Sequence, residues 1–223
     1  MSKPRNYFAI ITTAIVVVVV AIIATVVVVM NNSAASGGDA PQSAIINSDT
    51  GAVTLGSGEN TITTYVDFMC PACGKFESTY GPDLRKQMDA GKLKMEFHPI
   101  SILDRLSQGS GYSTRAASAL YCVAENDPDA TMPYIQMLYS NQPKENTAGL
   151  SDSELSTFAQ QSGAKNSGEC IVNETYKKYV AAKTKLTPLA PGASSISTPT
   201  ILLNGQYVTL TGDVNADILS KLK

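Results

Sequence analysis

Two cysteines separated by two residues, in Cys70-Pro71-Ala72-Cys73, constrain this 223-residue chain more than any other feature. A β-rich run, Thr61 to Phe68, leads into the motif, and a helix is predicted from Pro71 to about Ala90. That context puts Cys70 at a helix N-terminus, where free backbone N–H groups and the helix dipole stabilise a thiolate. Pro71 suits the first helical position because its missing N–H costs nothing there. The expected outcome is a nucleophilic Cys70 of lowered pKa and a resolving Cys73 one turn deeper, equipment for thiol–disulfide exchange. The same spacing supplies half of a zinc site. Zinc needs two further ligands, and the chain offers only Cys122, Cys170 and His98, with no second close pair. The redox reading is therefore preferred, with no metal ligand assigned.

The N-terminus is the second strong signal. Phe8 to Met30 is apolar except for Thr12, Thr13 and Thr25. As a helix it reaches about 35 Å, enough to cross a hydrocarbon core of about 30 Å. Lys3 and Arg5 precede it, so residues 1–7 are expected to stay cytoplasmic and the rest to lie outside. A cleaved signal peptide is the rival, with Ser33-Ala34-Ala35 as a loose cleavage match. Its apolar region normally spans only about 7–15 residues, which favours a retained transmembrane anchor over residues 8–30. Both readings export the C-terminal portion. Residues 31–43, rich in Ser, Gly and Ala, read as a flexible linker.

The remainder, residues 44–223, is long enough for one sizeable core. The whole chain carries 17 basic and 19 acidic residues, and the acidic excess grows once Lys3 and Arg5 are set aside. No basic stripe is present, which argues against a nucleic-acid partner. Two short strands are expected near 44–46 and 52–55, joined by the turn Asn47–Gly51. Tyr80-Gly81-Pro82 is expected to break or kink the helix after the cysteines, and Gly91 to end it. Leu93–His98 alternates as a half-buried strand. A helical block follows, within an insert at about 105–190. Its helices are predicted at about 114–125, at 132–140, from a capping box at Ser151-Asp152-Ser153-Glu154, and at about 169–186. Thr200–Leu203 and Gln206–Leu210 form a hairpin through Asn204-Gly205, and Asp213 caps a last helix to Lys223.

This order, β-β-β-α-β, helical insert, β-β-α, with C-P-x-C opening the first helix, resembles the thioredoxin fold, an α/β fold, with a helical insertion. More narrowly the chain resembles membrane-anchored DsbA-like thiol–disulfide oxidoreductases of the actinobacterial type. The pieces that carry the resemblance are Asp67-Phe68-Met69-Cys70-Pro71-Ala72-Cys73 with Phe76, His98-Pro99-Ile100, Tyr112-Ser113-Thr114-Arg115-Ala116-Ala117 and Ser197-Thr198-Pro199-Thr200. It covers about residues 44–223. The resemblance implies that Cys70 and Cys73 are catalytic and that Pro71 and Ala72 form the active-site loop. It also implies that Thr198 and a cis Pro199 sit beside the cysteines and bind extended substrate. The alternative for Pro199 is an ordinary trans proline at a strand start. Members with His between the cysteines gain a donor near the thiolate. Ala72 removes that donor and leaves the potential open.

Cys122 and Cys170 fall on different predicted helices. Outside the cytoplasm two spare thiols usually oxidise together, so a structural disulfide is expected in preference to a relay to Cys70. Asp67 either tunes proton transfer at Cys73 or caps its loop. His98 shares a strand face with Glu96, where it either approaches the active site or is an ordinary satisfied histidine. Met132, Tyr134 and Met137 fit helix packing better than a cofactor box.

The function expected is an extracytoplasmic, membrane-anchored oxidase that introduces disulfides into exported proteins with reduced cysteines. A membrane reoxidase regenerates it, and no organic cofactor is involved. The rivals are a reductase or isomerase and a non-enzymatic copper(I)-binding module using Cys70 and Cys73, with Met69 as an optional third ligand. No dimerisation module is visible, so a monomer is expected.

Overall fold

The computed structural model describes residues 38–223. The expected anchor at 8–30, the cytoplasmic residues 1–7 and most of the linker lie outside them. Among the described residues no helix is long and apolar enough to cross a membrane.

A six-stranded mixed sheet forms the centre. Its strands are β1 (Ile46–Asn47), β2 (Ala52–Gly56), β3 (Asn60–Val66), β4 (Leu93–Pro99), β5 (Thr200–Leu203) and β6 (Gln206–Tyr207), in spatial order β1-β2-β4-β3-β5-β6. Only β3 and β4 run parallel, joined through helix α1 (Pro71–Asp89). Parallel neighbours need such a crossover. Strand β3 alternates strictly: Ile62, Thr64 and Val66 are buried, whereas Thr61, Thr63 and Tyr65 are half-buried. The period-two pattern of its sequence is thereby satisfied.

Helix α1 runs without interruption through Pro82, so of the break or kink expected there the break does not occur. A proline in mid-helix leaves the carbonyl four residues earlier without its partner. Here that residue is Ser78, which is exposed like Pro82 itself, so water can satisfy the carbonyl. Gly91 ends the segment as expected, at φ 68°, with the Gly91 and Lys92 N–H groups donating back to Met88 and Gln87.

Between β4 and β5 lies the helical block: α2 (Tyr112–Asn126), α3 (Thr131–Ser140), α4 (Asp152–Gln161), α5 (Gly168–Val172) and α6 (Lys177–Thr184). Helix α2 is its axis. Almost every residue from Tyr112 to Ala124 is buried, as an apolar helix surrounded by others must be. The predicted capping box is present: Ser151 accepts from the Glu154 N–H, and Glu154 accepts from the Ser151 N–H. Leu155 is fully buried and Leu150 packs against the core beside it. The single helix expected at 169–186 is two. Glu174 takes a left-handed backbone at φ 47°, and the Tyr176 N–H donates to Ser118 Oγ on α2 rather than along its own helix. A tertiary hydrogen bond thus outweighs local propensity.

Residues 38–43, expected to be tether, are packed. Ser43 Oγ donates to the Ala124 carbonyl, one of the last-turn carbonyls of α2 that lack a helical partner. The Gln42 N–H donates to Glu125, and Pro41 is buried. The C-terminal hairpin turns at Asn204-Gly205 as predicted, but β6 is only two residues long. Asp213 caps α7 (Val214–Asp217) by accepting from the Ala216 N–H, and a separate short turn at Leu219–Lys221 replaces the long last helix.

Candidate active site

Strand order brings the site together. Strand β3 delivers the chain to Cys70. Strand β5 pairs antiparallel with it, with Thr200 opposite Tyr65, so the segment just before β5 lies at the same sheet end as the cysteines. That segment is Thr198-Pro199, and its peptide bond is cis. Cys70 Sγ is 3.5 Å from the Thr198 carbonyl oxygen, to which the thiol donates.

Cys70 is the N-cap residue of α1 and Pro71 its first helical residue. Both thiols are free in this structure, and Cys73 is fully buried. The Cys73 thiol donates to the Cys70 sulfur, which is the main force lowering the Cys70 pKa from 9.0 to about 6. Burial opposes the shift. The Thr198 side chain and the N–H groups of Cys73 and Ala72 reinforce it. Cys73 moves the opposite way, well above 9.0, because burial disfavours its charged form and Cys70 already holds the negative charge. Hydrogen bonds stabilise the largely buried Cys70 sulfur as the thiolate, and the Cys73 sulfur keeps the proton.

A pH prediction follows from these signs. Cys70 has a folded pKa below its unfolded one. Its ionisation therefore stabilises the reduced fold fully above the unfolded value, and that contribution is lost as pH falls through about 6. Alkylation of Cys70 by iodoacetamide, followed by mass spectrometry, should be half-maximal near pH 6. A midpoint near 9 would contradict the geometry described.

Asp67 is buried, with both oxygens engaged. Oδ1 accepts from the Met69 N–H at 2.9 Å, and Oδ2 accepts from Ile102 at 2.9 Å and Leu103 at 3.0 Å. Burial raises its pKa, and these donors offset part of the rise. Of the two roles expected, this geometry is that of a loop cap, tying the approach to Cys70 to the segment after β4.

His98 is not at the thiols, so the tuning role considered for it has no geometric basis. Its ring stacks on Tyr65, centroids 4.3 Å apart, with Thr50 and Lys183 as its other neighbours. Burial first, then Lys183, pulls its pKa down to about 4, against a hydrogen bond to the Thr50 backbone. Strand alternation explains the separation. Phe97 points to the face where Phe68 and Tyr139 pack, next to the cysteines, so its neighbour His98 must point to the other.

Cys122 and Cys170 are bonded, Cα atoms 5.7 Å apart, and link α2 to α5. Beside the cysteine turn, a groove of about 540 Å³ is lined by Ala72, Phe76 and Tyr80 of α1, by Pro199, and by Val208 and Leu210 beyond β6. Tyr80 is held by donating to Asp217 while accepting from the Gly212 N–H.

Sequence reasoning missed Gln142, whose side-chain amide donates to the carbonyls of Phe68 and Cys70. It also missed the Glu77–Arg85 ion pair one turn past Cys73. Gln142 lies in a loop with no local pattern. The one available signal was Gly74, a glycine inside a helix with no turn to make.

A family model described as Thioredoxin matches residues 52–221. The reduced form of the disulfide bond oxidoreductase DsbG from Mycobacterium tuberculosis is similar at 27% identity with a TM-score of 0.64, over 77% of this chain and 89% of that one. Oxidised DsbA from the same organism is similar at 29% identity and a TM-score of 0.62, over 72% and 86%. Among curated proteins, the serine/threonine-protein kinase PknE of Mycobacterium tuberculosis is 35% identical over 132 residues, 56% of this chain and 23% of its own length. The chain thus spans about a quarter of the curated relatives it matches. With the paired cysteines at the mouth of α1, the neighbouring Thr198-Pro199 and a match from β2 to the last turn, the chain belongs to the thioredoxin family and is similar to the DsbA-type thiol–disulfide oxidoreductases within it.

Proposed function

We propose that this protein is a membrane-anchored, extracytoplasmic oxidase that introduces disulfides into exported proteins through Cys70 and Cys73. The observation that carries the reading is the placement of the two sulfurs: Cys70 caps the N-terminus of α1, which with its hydrogen bonds lowers its pKa, whereas Cys73 is fully buried, which raises its own. A stabilised Cys70 thiolate favours the reduced protein, which makes the Cys70–Cys73 disulfide the more oxidising.

In the forward cycle a substrate thiolate attacks Cys70 Sγ of the oxidised pair. The Cys70–Cys73 bond breaks, a substrate–Cys70 mixed disulfide forms, and Cys73 leaves and takes up a proton. The second substrate thiolate then attacks the substrate sulfur of the mixed disulfide and expels Cys70 as a thiolate, a good leaving group at its lowered pKa. The substrate loses two electrons and the protein gains them. A membrane quinone-linked reoxidase restores the disulfide. The apolar groove beside Ala72 and Pro199 suits an unfolded polypeptide better than a small polar thiol.

Location is supported by sequence and by the second cysteine pair. The run Phe8–Met30 has the length of a membrane span, with Lys3 and Arg5 before it. A Cys122–Cys170 disulfide belongs to an oxidising compartment.

The deciding experiment equilibrates the full chain with glutathione buffers and reads the Cys70–Cys73 redox state by alkylation and mass. The expected potential is more oxidising than the approximately −270 mV of thioredoxin, together with oxidation of a reduced, unfolded secreted protein. A potential at or below that value would make the protein a reductase.

A further inference from the structure

Gln142 lies in the loop after α3, outside the Cys70–Cys73 and Thr198-Pro199 motifs, yet its amide is committed to the exchange site. Nε2 donates to the Phe68 carbonyl at 3.0 Å and to the Cys70 carbonyl at 2.9 Å. Both amide protons are thereby used. The two carbonyls flank Met69 and Cys70. The Cys70 carbonyl also accepts from the Cys73 and Gly74 N–H groups, at 3.0 and 3.1 Å. That carbonyl shares its peptide plane with the Pro71 nitrogen, so holding it fixes how the chain enters α1. The entry in turn aims the Ala72 and Cys73 N–H groups at the Cys70 sulfur.

Gly74 makes room for this arrangement. A Cβ there would overlap Gln142 Oε1 and lie 3.1 Å from its Cδ. Gly74 has ordinary helical backbone, so its missing side chain serves space and not conformation. A helix-interior glycine costs about 1 kcal/mol relative to alanine, and the Gln142 amide is what occupies the space so obtained.

We propose that Gln142 is a positioning residue for disulfide exchange: its amide ties the helical block to the Cys70 turn and holds the Cys70 sulfur against the Ala72 and Cys73 amides. The proposal rests on the reading of Cys70 as the attacking thiol. Titratable groups around the turn are Cys73 and Glu77 on α1, the latter paired with Arg85, Asp67 before it, and Tyr139 on α3. Gln142 carries no charge, so replacing it by another neutral residue changes the acidity of Cys70 through geometry and dipole alone.

The test is the pH profile of Cys70 alkylation by iodoacetamide on the reduced full chain, with thermal unfolding alongside. Gln142→Met keeps the length and removes both donors. The midpoint should rise by about 0.5–1 pH unit, equivalent to roughly threefold to tenfold less thiolate at pH 5. Gly74→Ala, which displaces the amide, should raise the midpoint in the native background. It should add nothing in a Gln142→Ala background, where the added Cβ meets open space. A residue of merely structural importance would lower the unfolding temperature and leave the midpoint in place. An unmoved midpoint in a folded Gln142→Met protein would overturn the proposal. So would a Gly74→Ala shift that persists without Gln142, and that comparison decides the matter if Gln142→Met does not fold. Exchange surviving in Cys70→Ser would instead overturn the reading of the attacking thiol.

Discussion

Cys70→Ser is expected to reduce thiol–disulfide exchange by at least about 1,000-fold, because it removes the attacking sulfur together with every force that activates it. A hydroxyl at the same N-cap position keeps the hydrogen bonds but is not ionised near neutral pH, and it forms no disulfide. The fold should survive, since serine is a favoured N-cap residue and its hydroxyl can accept from the same Ala72 and Cys73 N–H groups. Cys73→Ser should behave differently. It keeps the Cys70 thiolate but removes the resolving thiol. Mixed disulfides formed when Cys70 attacks a substrate disulfide should then persist and be visible on non-reducing gels. Its Cys70 should stay acidic, because the serine hydroxyl can donate to that sulfur as the Cys73 thiol does. Alkylation of Cys70 in Cys73→Ser should therefore keep a midpoint near 6, whereas Cys73→Ala, which removes the donor, should move it upward. The pair of variants separates roles that a single knockout would blur. Full exchange in Cys70→Ser, or no trapped species in Cys73→Ser, would remove the assignment of nucleophile and resolver.

What was legible in the sequence shares one property: the physical cause is local. A β-branched run before Cys70 and Pro71 after it place the thiol at a helix start without knowledge of anything distant. Ser151 with Glu154, Asp213, and Asn204-Gly205 likewise carry their own hydrogen bonds or backbone angles. The elements that were misread are governed by partners far along the chain. Pro82 is harmless because Ser78 faces water. The helix expected at 169–186 divides because Ser118, more than fifty residues earlier, takes the Tyr176 N–H. Residues 38–43 have a linker composition but fill the open end of α2. At the site the same rule holds. The cysteines announce themselves, and Thr198-Pro199 is readable beside them. Asp67 could be narrowed only to two roles, and its capping of Ile102 and Leu103 needed the return path of the chain after β4. His98 was drawn toward the site by its strand, when alternation sends it to the opposite face from Phe97. Gln142 left no trace except a glycine at position 74.

Replacing Cys122 and Cys170 together by alanine is expected to destabilise the fold by about 4 kcal/mol in the chain-entropy model, given the sequence separation of 48. For a folded unit of this size that lowers the unfolding temperature by about 10 °C. Two further considerations set the sign and the minimum. Cys122 is fully buried on α2, so truncation also leaves a small void at the axis of the helical block. Cys170 sits on the five-residue helix α5, too short to be stable alone, whose following turn is held by Thr175 bonds back to the Cys170 carbonyl. Without the disulfide, α5 and the turn to α6 should open first, and hydrogen exchange should show protection lost there before the sheet. Exchange chemistry at Cys70 should persist at temperatures where the variant is folded, because α5 supplies none of the groups that act on that sulfur. The comparison is made with Cys70 and Cys73 reduced in both proteins, so that only the one bond differs. An unchanged unfolding temperature would mean the bond adds nothing to stability. Loss of exchange in the folded variant would make it part of the redox chemistry and not of the scaffold.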